Sequence, residues 1–241
     1  MKLHIFDSEK ELITAFAEYF TDQAQKYIKS QGLFNVVLAG GSSPKRVYQL
    51  LASPDFREKI DWKKVYFFFG DERFVPADDP QNNGLMDENV LFHPLQIPHS
   101  QIFKIDTSFS PMESAEKYME TITSHFKGKP IHFDLILLGL GDNAHTASLF
   151  PFTEVLNEES PSVEAVFLKN ENTFRITMTA ALINQAKNTA FLVFGSNKAE
   201  AVQQVIQGIH DPENFPAQLI TENNSNLHWF LDDKAAGLLE N

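Results

Sequence analysis

The chain has 241 residues and no cysteine, and 43% of its residues are hydrophobic and 22% are charged. This composition indicates one globular unit, residues 1–241, and excludes disulfide bonds, thiolate metal ligands and a cysteine nucleophile. The formal net charge of −12 argues against nucleic acid or an anionic membrane surface as the main partner, although two or three local basic groups suffice for a small anionic ligand.

The chain begins with a pattern that predicts a strand over residues 2–6, without the apolar core of a signal peptide. Ser8 and Glu11 form a capping-box pattern that starts a helix, and Gly32 is expected to end it. The longest apolar run, residues 133–140, is too short to cross a bilayer. We therefore expect a cytoplasmic protein.

Four short, continuous apolar runs follow, each leading into glycine: residues 34–39, 65–69, 133–138 and 189–194. Such runs are typical of strands buried on both faces, which indicates a parallel sheet covered by helices. Ligands bind outside the carboxyl ends of such strands, so the glycines should mark one crevice. Helical patterns cover residues 44–51, 111–126 and 196–206, and we expect Ser196 to be the N-cap of the last. Residues 153–169 receive no assignment.

The first candidate motif is the strand-to-helix turn after Ala39. We expect Ser43 to be the N-cap and Pro44 the first helical residue. Three features of this turn favour a phosphate-binding loop. The helix start offers backbone N–H donors, Ser42 and Ser43 offer hydroxyls, and Gly40 and Gly41 allow a ligand to approach the main chain. The spacing is neither that of a P-loop nor that of a dinucleotide fold, so no nucleotide is implied. A plain capped turn is the alternative interpretation.

The second motif is Gly70-Asp-Glu-Arg73 at the end of an aromatic strand. Because neighbouring residues on an extended chain point to opposite sides, Asp71 and Arg73 can share the crevice while Glu72 faces away. A solvated rim of charges is the alternative.

The third motif is GLGDNAHTASLFP, residues 139–151. A buried strand that runs into two glycines and then His145 places an imidazole at the crevice mouth, where it is suited to proton transfer near neutral pH. The alternative is a histidine that merely lies in a loop, which is our interpretation of the other seven. No metal-ligand spacing surrounds His145, so no metal is expected.

Two basic residues complete the candidate set. Arg175 opens the strand-like residues 175–179, and Lys198 lies in a predicted first helical turn after Gly195. A cation there is unfavourable unless an anion binds nearby. This position indicates a phosphate site, although surface lysines are common.

Taken together, six blocks resemble the 6-phosphogluconolactonase family, whose superfamily also contains glucosamine-6-phosphate deaminases. The blocks lie within residues 33–220 and read AGGSSPKRVYQLL, FFFGDERFVP, NNGLMDENV, DLILLGLGDNAHTASLFP, RITMTAALINQA and FGSNKAEAV. The GDER and HTASLFP blocks are the most specific. The resemblance implies a three-layer α/β/α fold with a mostly parallel, Rossmann-like sheet. It also implies hydrolysis of 6-phospho-D-glucono-1,5-lactone to 6-phosphogluconate in the oxidative pentose phosphate pathway, without a metal or organic cofactor.

The resemblance also assigns roles to individual residues. It implies that His145, Arg73 and Asp71 are catalytic. The residues that it implies for substrate binding, mainly of the phosphate, are Gly40, Gly41, Ser42, Ser43, Asn83, Arg175 and Lys198.

The chain departs from the family pattern just before the histidine, where the usual Asp-Gly is Asn143-Ala144. Asn143 can hydrogen-bond an imidazole but cannot charge it. Because Ala144 lacks the freedom of glycine at positive φ, we expect an ordinary backbone conformation at this turn.

Two alternative functions remain open at this point. A glucosamine-6-phosphate deaminase would read MDEY in place of GDER and carry FNEP where this chain has residues 148–151, SLFP. A sugar-phosphate-sensing regulator would usually add a basic DNA-binding domain, and no such segment flanks this pattern. The sequence leaves the oligomeric state open, and a monomer is compatible with it.

Overall fold

A six-stranded, fully parallel sheet forms the centre of the computed structural model, which describes residues 1–221 and 226–240. Its strand order is β1-β9-β8-β5-β2-β3, where the strands are β1 (Lys2–Phe6), β2 (Phe34–Leu38), β3 (Val65–Phe69), β5 (Leu135–Leu138), β8 (Asn188–Val193) and β9 (Asn226–Asp232). The four continuous apolar runs are therefore confirmed as parallel strands, with ends displaced by no more than two residues.

A second sheet of three antiparallel strands was not predicted. It has the order β4-β7-β6, with β4 (Asp71–Arg73), β6 (Val163–Leu168) and β7 (Thr173–Met178). The unassigned residues 153–169 contain β6 and a 3₁₀ turn, Glu154–Asn157. The register pairs Arg73 with Arg175, so this sheet places two candidate cations side by side.

Helices connect and cover these strands. They are α1 (Glu9–Gln31), α2 (Ser42–Leu51), α3 (Asn83–Asp87), α4 (His93–Leu95), α5 (Pro111–Phe126), α6 (Ala180–Ile183) and α7 (Ala199–Gln207). A π-helical turn, Glu88–Phe92, joins α3 to α4, and further 3₁₀ turns lie at Arg57–Lys59, Trp62–Lys64, His99–Gln101, Ser196–Lys198 and Pro216–Leu219. No helix within residues 1–221 and 226–240 is long and apolar enough to cross a membrane.

The sequence accounts for both ends of α1. The hydroxyl of Ser8 accepts a hydrogen bond from the backbone N–H of Glu11, and Gly32 ends the helix at a φ of 86°. Both ends match the prediction, since an N-cap oxygen satisfies a free helical N–H and glycine tolerates left-handed backbone.

The alternation along β3 shows that helices cover both faces of the sheet. Phe67 stacks on Trp62, which in turn contacts Phe20 of α1, whereas Phe68 packs against Phe126 of α5. Both strand phenylalanines are fully buried, and each such burial contributes about 1.5–3 kcal/mol. The three-layer α/β/α prediction is confirmed.

Two predicted helix starts are wrong. Helix α2 begins at Ser42, its N-cap is Gly41 at a φ of 103°, and Ser43 makes no capping bond. Ser196 is not an N-cap, because a 3₁₀ turn, Ser196–Lys198, precedes α7. In both places a glycine at positive φ turns the chain into the helix, so the serine is not needed for that purpose.

Candidate active site

A cavity of about 260 Å³ lies at the carboxyl ends of β2, β3, β5 and β8. This is the crevice that the glycine-marked strand ends predicted. All of the predicted site residues except Arg175 line it, namely Gly40, Gly41, Ser42, Ser43, Asp71, Arg73, Asn83, His145 and Lys198. Residues up to 158 positions apart in the sequence (40 to 198) thus share one wall.

The glycine-serine loop is shaped by close contacts that require its glycines. A Cβ on Gly40 would lie 2.0 Å from Oδ1 of Asn83, so only glycine allows this asparagine side chain to pack against the loop. The hydroxyl of Tyr48 bonds both the N–H and the carbonyl of Ala39 at 3.0 Å and fixes the loop from behind. The first N–H groups of α2 have no partner within the helix and are available to an anion.

The GDER segment divides its side chains between the cavity and the core, as the alternation predicted. Asp71 and Arg73 line the cavity, whereas Glu72 is 2% exposed. Oδ2 of Asp71 accepts a 2.6 Å bond from the hydroxyl of Ser148, and Nη1 of Arg73 donates to the carbonyl of Gln81 at 2.9 Å. Asp71 therefore ties the histidine loop to β4.

Glu72 organises the cavity wall from inside, which the sequence analysis missed. Its carboxylate accepts hydrogen bonds of 2.8–2.9 Å from the backbone N–H groups of Arg73, Asn83 and Gly84. Burial raises the pKa of Glu72 to about 7, against the opposing effect of those bonds. Asp87 is fully buried nearby with no hydrogen bond to either carboxyl oxygen within the described chain, and burial raises its pKa well above the usual range.

Asn143 orients the imidazole of His145. Its Oδ1 lies 2.5 Å from Nδ1 of His145 and also accepts from the backbone N–H of His145 at 3.3 Å. Because an amide oxygen can only accept, Nδ1 carries the proton and Nε2 has the free lone pair. The ring stacks on Phe150 at 4.1 Å, and a Cβ on Gly141 would lie 2.0 Å from Nδ1. The loop therefore holds a neutral imidazole in one tautomer.

The surroundings of His145 keep it uncharged. Burial, and to a smaller extent the charges of Lys198 and Arg175, lowers its pKa to about 4, while Glu171 and Asp142 act in the opposite direction. At neutral pH the free protein thus presents the unprotonated form of this base.

The expectation of an ordinary backbone conformation at Ala144 is wrong. Its φ is 58°, in the left-handed region, which costs an L-residue about 1–2 kcal/mol. A turn bond and a long-range bond hold this conformation: the N–H of Ala144 donates to the carbonyl of Gly141, and the carbonyl of Ala144 accepts from the N–H of Ala217, both at 3.0 Å. The fully buried methyl group of Ala144 also packs in the core.

The two remaining cations, Arg175 and Lys198, differ in their position relative to the cavity. Arg175 is outside its wall; Nη2 is 2.5 Å from Oε2 of Glu171, and its Nε is buried without a hydrogen-bond partner in the described residues. Lys198 lines the wall and pairs with Oδ1 of Asp142. Neither carboxylate partner was predicted, because both pairs depend on loop geometry.

The described residues, 1–221 and 226–240, contain no cluster of three or more His, Cys, Asp or Glu side chains placed to hold a metal ion. The absence of a metal from the reaction stays a prediction.

Comparison with known proteins identifies the family. The family model described as glucosamine-6-phosphate isomerases/6-phosphogluconolactonase matches residues 7–229. The chain belongs to this family. Among its relatives, a 6-phosphogluconolactonase of Nostoc is 35% identical over 98% of both chains, and one of Haemophilus influenzae is 34% identical over 85% of this chain and 87% of that one.

Solved structures share this fold. The 6-phosphogluconolactonase of Trypanosoma brucei has a TM-score of 0.87 at 29% identity and covers 99% of this chain and 98% of its own. A monomeric glucosamine-6-phosphate deaminase has a TM-score of 0.85 at 23% identity, over 99% of this chain and all of that one. The second likeness supports the fold alone, so the choice between the two reactions depends on the sequence relatives and on the site.

Proposed function

We propose that the protein hydrolyses 6-phospho-D-glucono-1,5-lactone to 6-phosphogluconate, the lactonase step of the oxidative pentose phosphate pathway. One observation carries this proposal: a neutral His145 with a free Nε2 lies in the same cavity as a glycine-serine loop, and this loop leads into the N-terminus of a helix. This arrangement suits a phosphorylated substrate that needs a base, and relatives that match nearly the whole chain carry the name of this activity.

The phosphate is placed at the glycine-serine loop, next to Lys198 and Arg175. The free N–H groups at the start of α2 and the hydroxyls of Ser42 and Ser43 donate to the phosphate oxygens. Hydrogen bonds from cations to a dianion are about twice as strong as neutral ones, so the two cations supply much of the affinity. Asn83, at the base of the loop, is placed to contact a sugar hydroxyl.

The chemistry is general base catalysis of water attack. Nε2 of His145 takes one proton from a water molecule as the water oxygen bonds to the lactone carbonyl carbon. Arg73 and backbone N–H groups stabilise the oxyanion that forms. The bond between the carbonyl carbon and the ring oxygen then breaks, and the imidazolium returns its proton to that ring oxygen.

These contributions are large enough for an activated ester. General base catalysis typically contributes ~10²–10⁴-fold, and one oxyanion donor contributes about 10²–10³-fold. Asp71 supports the reaction by holding Ser148 and with it the loop that carries His145.

The experiment that tests this function is a rapid-mixing assay with freshly generated phospholactone, compared with spontaneous hydrolysis in the same buffer. A rate that scales with enzyme concentration supports the proposal, and a rate equal to the background contradicts it. Ammonia release from glucosamine-6-phosphate is measured in parallel, because the family and fold also include that reaction. The cytoplasmic location stays a prediction from the sequence.

A further inference from the structure

Both cations of the proposed phosphate site are already paired with carboxylates of the surrounding loops. Arg175 is held by Glu171 in the turn between β6 and β7, with 2.5 Å between Nη2 and Oε2. Lys198 is held by Asp142, whose Oδ1 also accepts from Nδ2 of Asn197 at 3.1 Å. Lys198 lines the cavity, and all four charged groups of the two pairs lie close enough to affect the pKa of His145 in its wall.

The exposures of the partners show which side of each pair is able to leave. The side chain of Lys198 is 22% exposed and that of Asp142 is 67% exposed. Arg175 is 13% exposed and Glu171 is 46% exposed. Each carboxylate thus lies on the solvent side and can rotate into water at small cost. Each cation is confined and would keep a desolvated charge if left alone.

The charges indicate what must happen when a phosphate enters. With both carboxylates in place the four groups sum to zero, and a phosphate dianion would bring the cluster to a net charge of −2. If both carboxylates turn away, two cations face one dianion and the cluster is neutral again. The number of displaced charges thus equals the charge of the entering group.

We propose that Glu171 and Asp142 are exchangeable counter-ions that occupy Arg175 and Lys198 in the empty site and are displaced by the phosphate, so that they limit the affinity for phosphorylated ligands. This inference rests on the proposed function, because it takes Arg175 and Lys198 as the phosphate-binding cations. It makes the two carboxylates determinants of specificity, since a neutral sugar lactone gains nothing by displacing them.

The same carboxylates also explain how the empty site tolerates two cations near His145. Glu171 and Asp142 oppose the effect of Arg175 and Lys198 on the pKa of the imidazole. A dianion that takes their place keeps this opposition. The exchange therefore preserves the charge around the base while it fills the site.

The test measures affinity for inorganic phosphate and for 6-phosphogluconate by calorimetry at low ionic strength. The variants are Glu171→Gln, Asp142→Asn and the double variant, which keep side-chain shape and remove only charge. Glu154→Gln is the matched control, because Glu154 is an exposed carboxylate in the groove that Glu171 and Asp142 also line, and it makes no ion pair in the described part of the chain. Arg175→Ala and Lys198→Ala report on the proposed phosphate site itself.

Each counter-ion variant is expected to bind both ligands about 2- to 5-fold more tightly, the effect of releasing one partly exposed ion pair. The double variant is expected to gain more than either, and the control to change little. The KM for an unphosphorylated gluconolactone should stay constant in all of them.

Three results would overturn the inference. If both alanine variants bind phosphate as the wild type does, the proposed role of the cations fails and the inference fails with it. If the alanine variants lose affinity but the counter-ion variants do not gain it, only the counter-ion exchange is wrong. If Glu154→Gln gains as much as Glu171→Gln, the effect is a general one of net charge.

Discussion

The substitution Asn143→Asp tests how the loop adjusts its histidine. The acceptor 2.5 Å from Nδ1 of His145 becomes a carboxylate while the tautomer and the ring position are kept. The pKa of His145 is about 4 in the wild type. An adjacent opposite charge typically raises a histidine pKa by about 1 to 3, which predicts a value of about 6 in the variant.

The size of the effect follows from the fraction of unprotonated imidazole. With a pKa of about 4, roughly 90% of the wild-type base is unprotonated at pH 5. With a pKa of about 6 the variant retains about 10% at the same pH. We therefore expect kcat/KM of the variant, relative to its own plateau, to fall about nine-fold below the wild type at pH 5.

The assay is the initial rate of lactone hydrolysis from pH 4.5 to 8, expressed as the ratio of kcat/KM between the two proteins. The substrate phosphate also titrates, with a pKa of about 6, but this ionisation is common to both proteins and cancels in the ratio. An NMR titration of the imidazole, assigned by its loss in His145→Gln, measures the pKa directly. Circular dichroism at pH 5 controls for unfolding. A ratio that stays constant over the whole range would refute our account of the imidazole.

Two further predictions test the architecture of the site. In Gly141→Ala the new Cβ would lie 2.0 Å from Nδ1 of His145, so we expect this variant to lose most of its kcat. In the control Gly139→Ala the new Cβ would meet no atom within 4 Å, so we expect its kcat to be kept. Equal kcat values for the two variants in steady-state assays would argue against a fixed imidazole. The substitution Glu72→Gln tests the buried carboxylate. The pKa of Glu72 is about 7 in the native state, above its value in the unfolded chain, so the native state holds a proton that the unfolded state has lost. The stability of the wild type therefore falls as the pH rises from about 4.5 to 7. Urea unfolding at each pH measures the free energy of unfolding of both proteins, and the difference, variant minus wild type, should increase by about 3 kcal/mol across that range. A difference that does not change with pH would mean that Glu72 does not titrate there.

Local patterns predicted five of the six strands of the central sheet, all except β9, and the position of the crevice. A continuous apolar run such as Val65–Phe69 is specific for a strand with two buried faces, and the glycines after such runs mark the ends that converge. The second sheet gave no comparable signal, because β4 has three residues and the buried positions of β6 do not alternate regularly with exposed ones.

Other features depend on tertiary contacts that the sequence does not display. The left-handed conformation of Ala144 is imposed by its bonds to Gly141 and Ala217, which override the local preference of alanine. The sequence predicted that Glu72 faces away from the crevice, but it did not show that the carboxylate accepts hydrogen bonds from three backbone N–H groups in the core. Such roles become visible only when the packing is known.

The most direct test of the central claim is the rate of phospholactone hydrolysis by His145→Ala, measured together with its affinity for 6-phosphogluconate. Our account predicts a kcat reduced by about 10²–10⁴-fold, the contribution of a general base, with product affinity within a few-fold of the wild type. A variant that hydrolyses the lactone at the wild-type rate would contradict the assignment of His145 as the base.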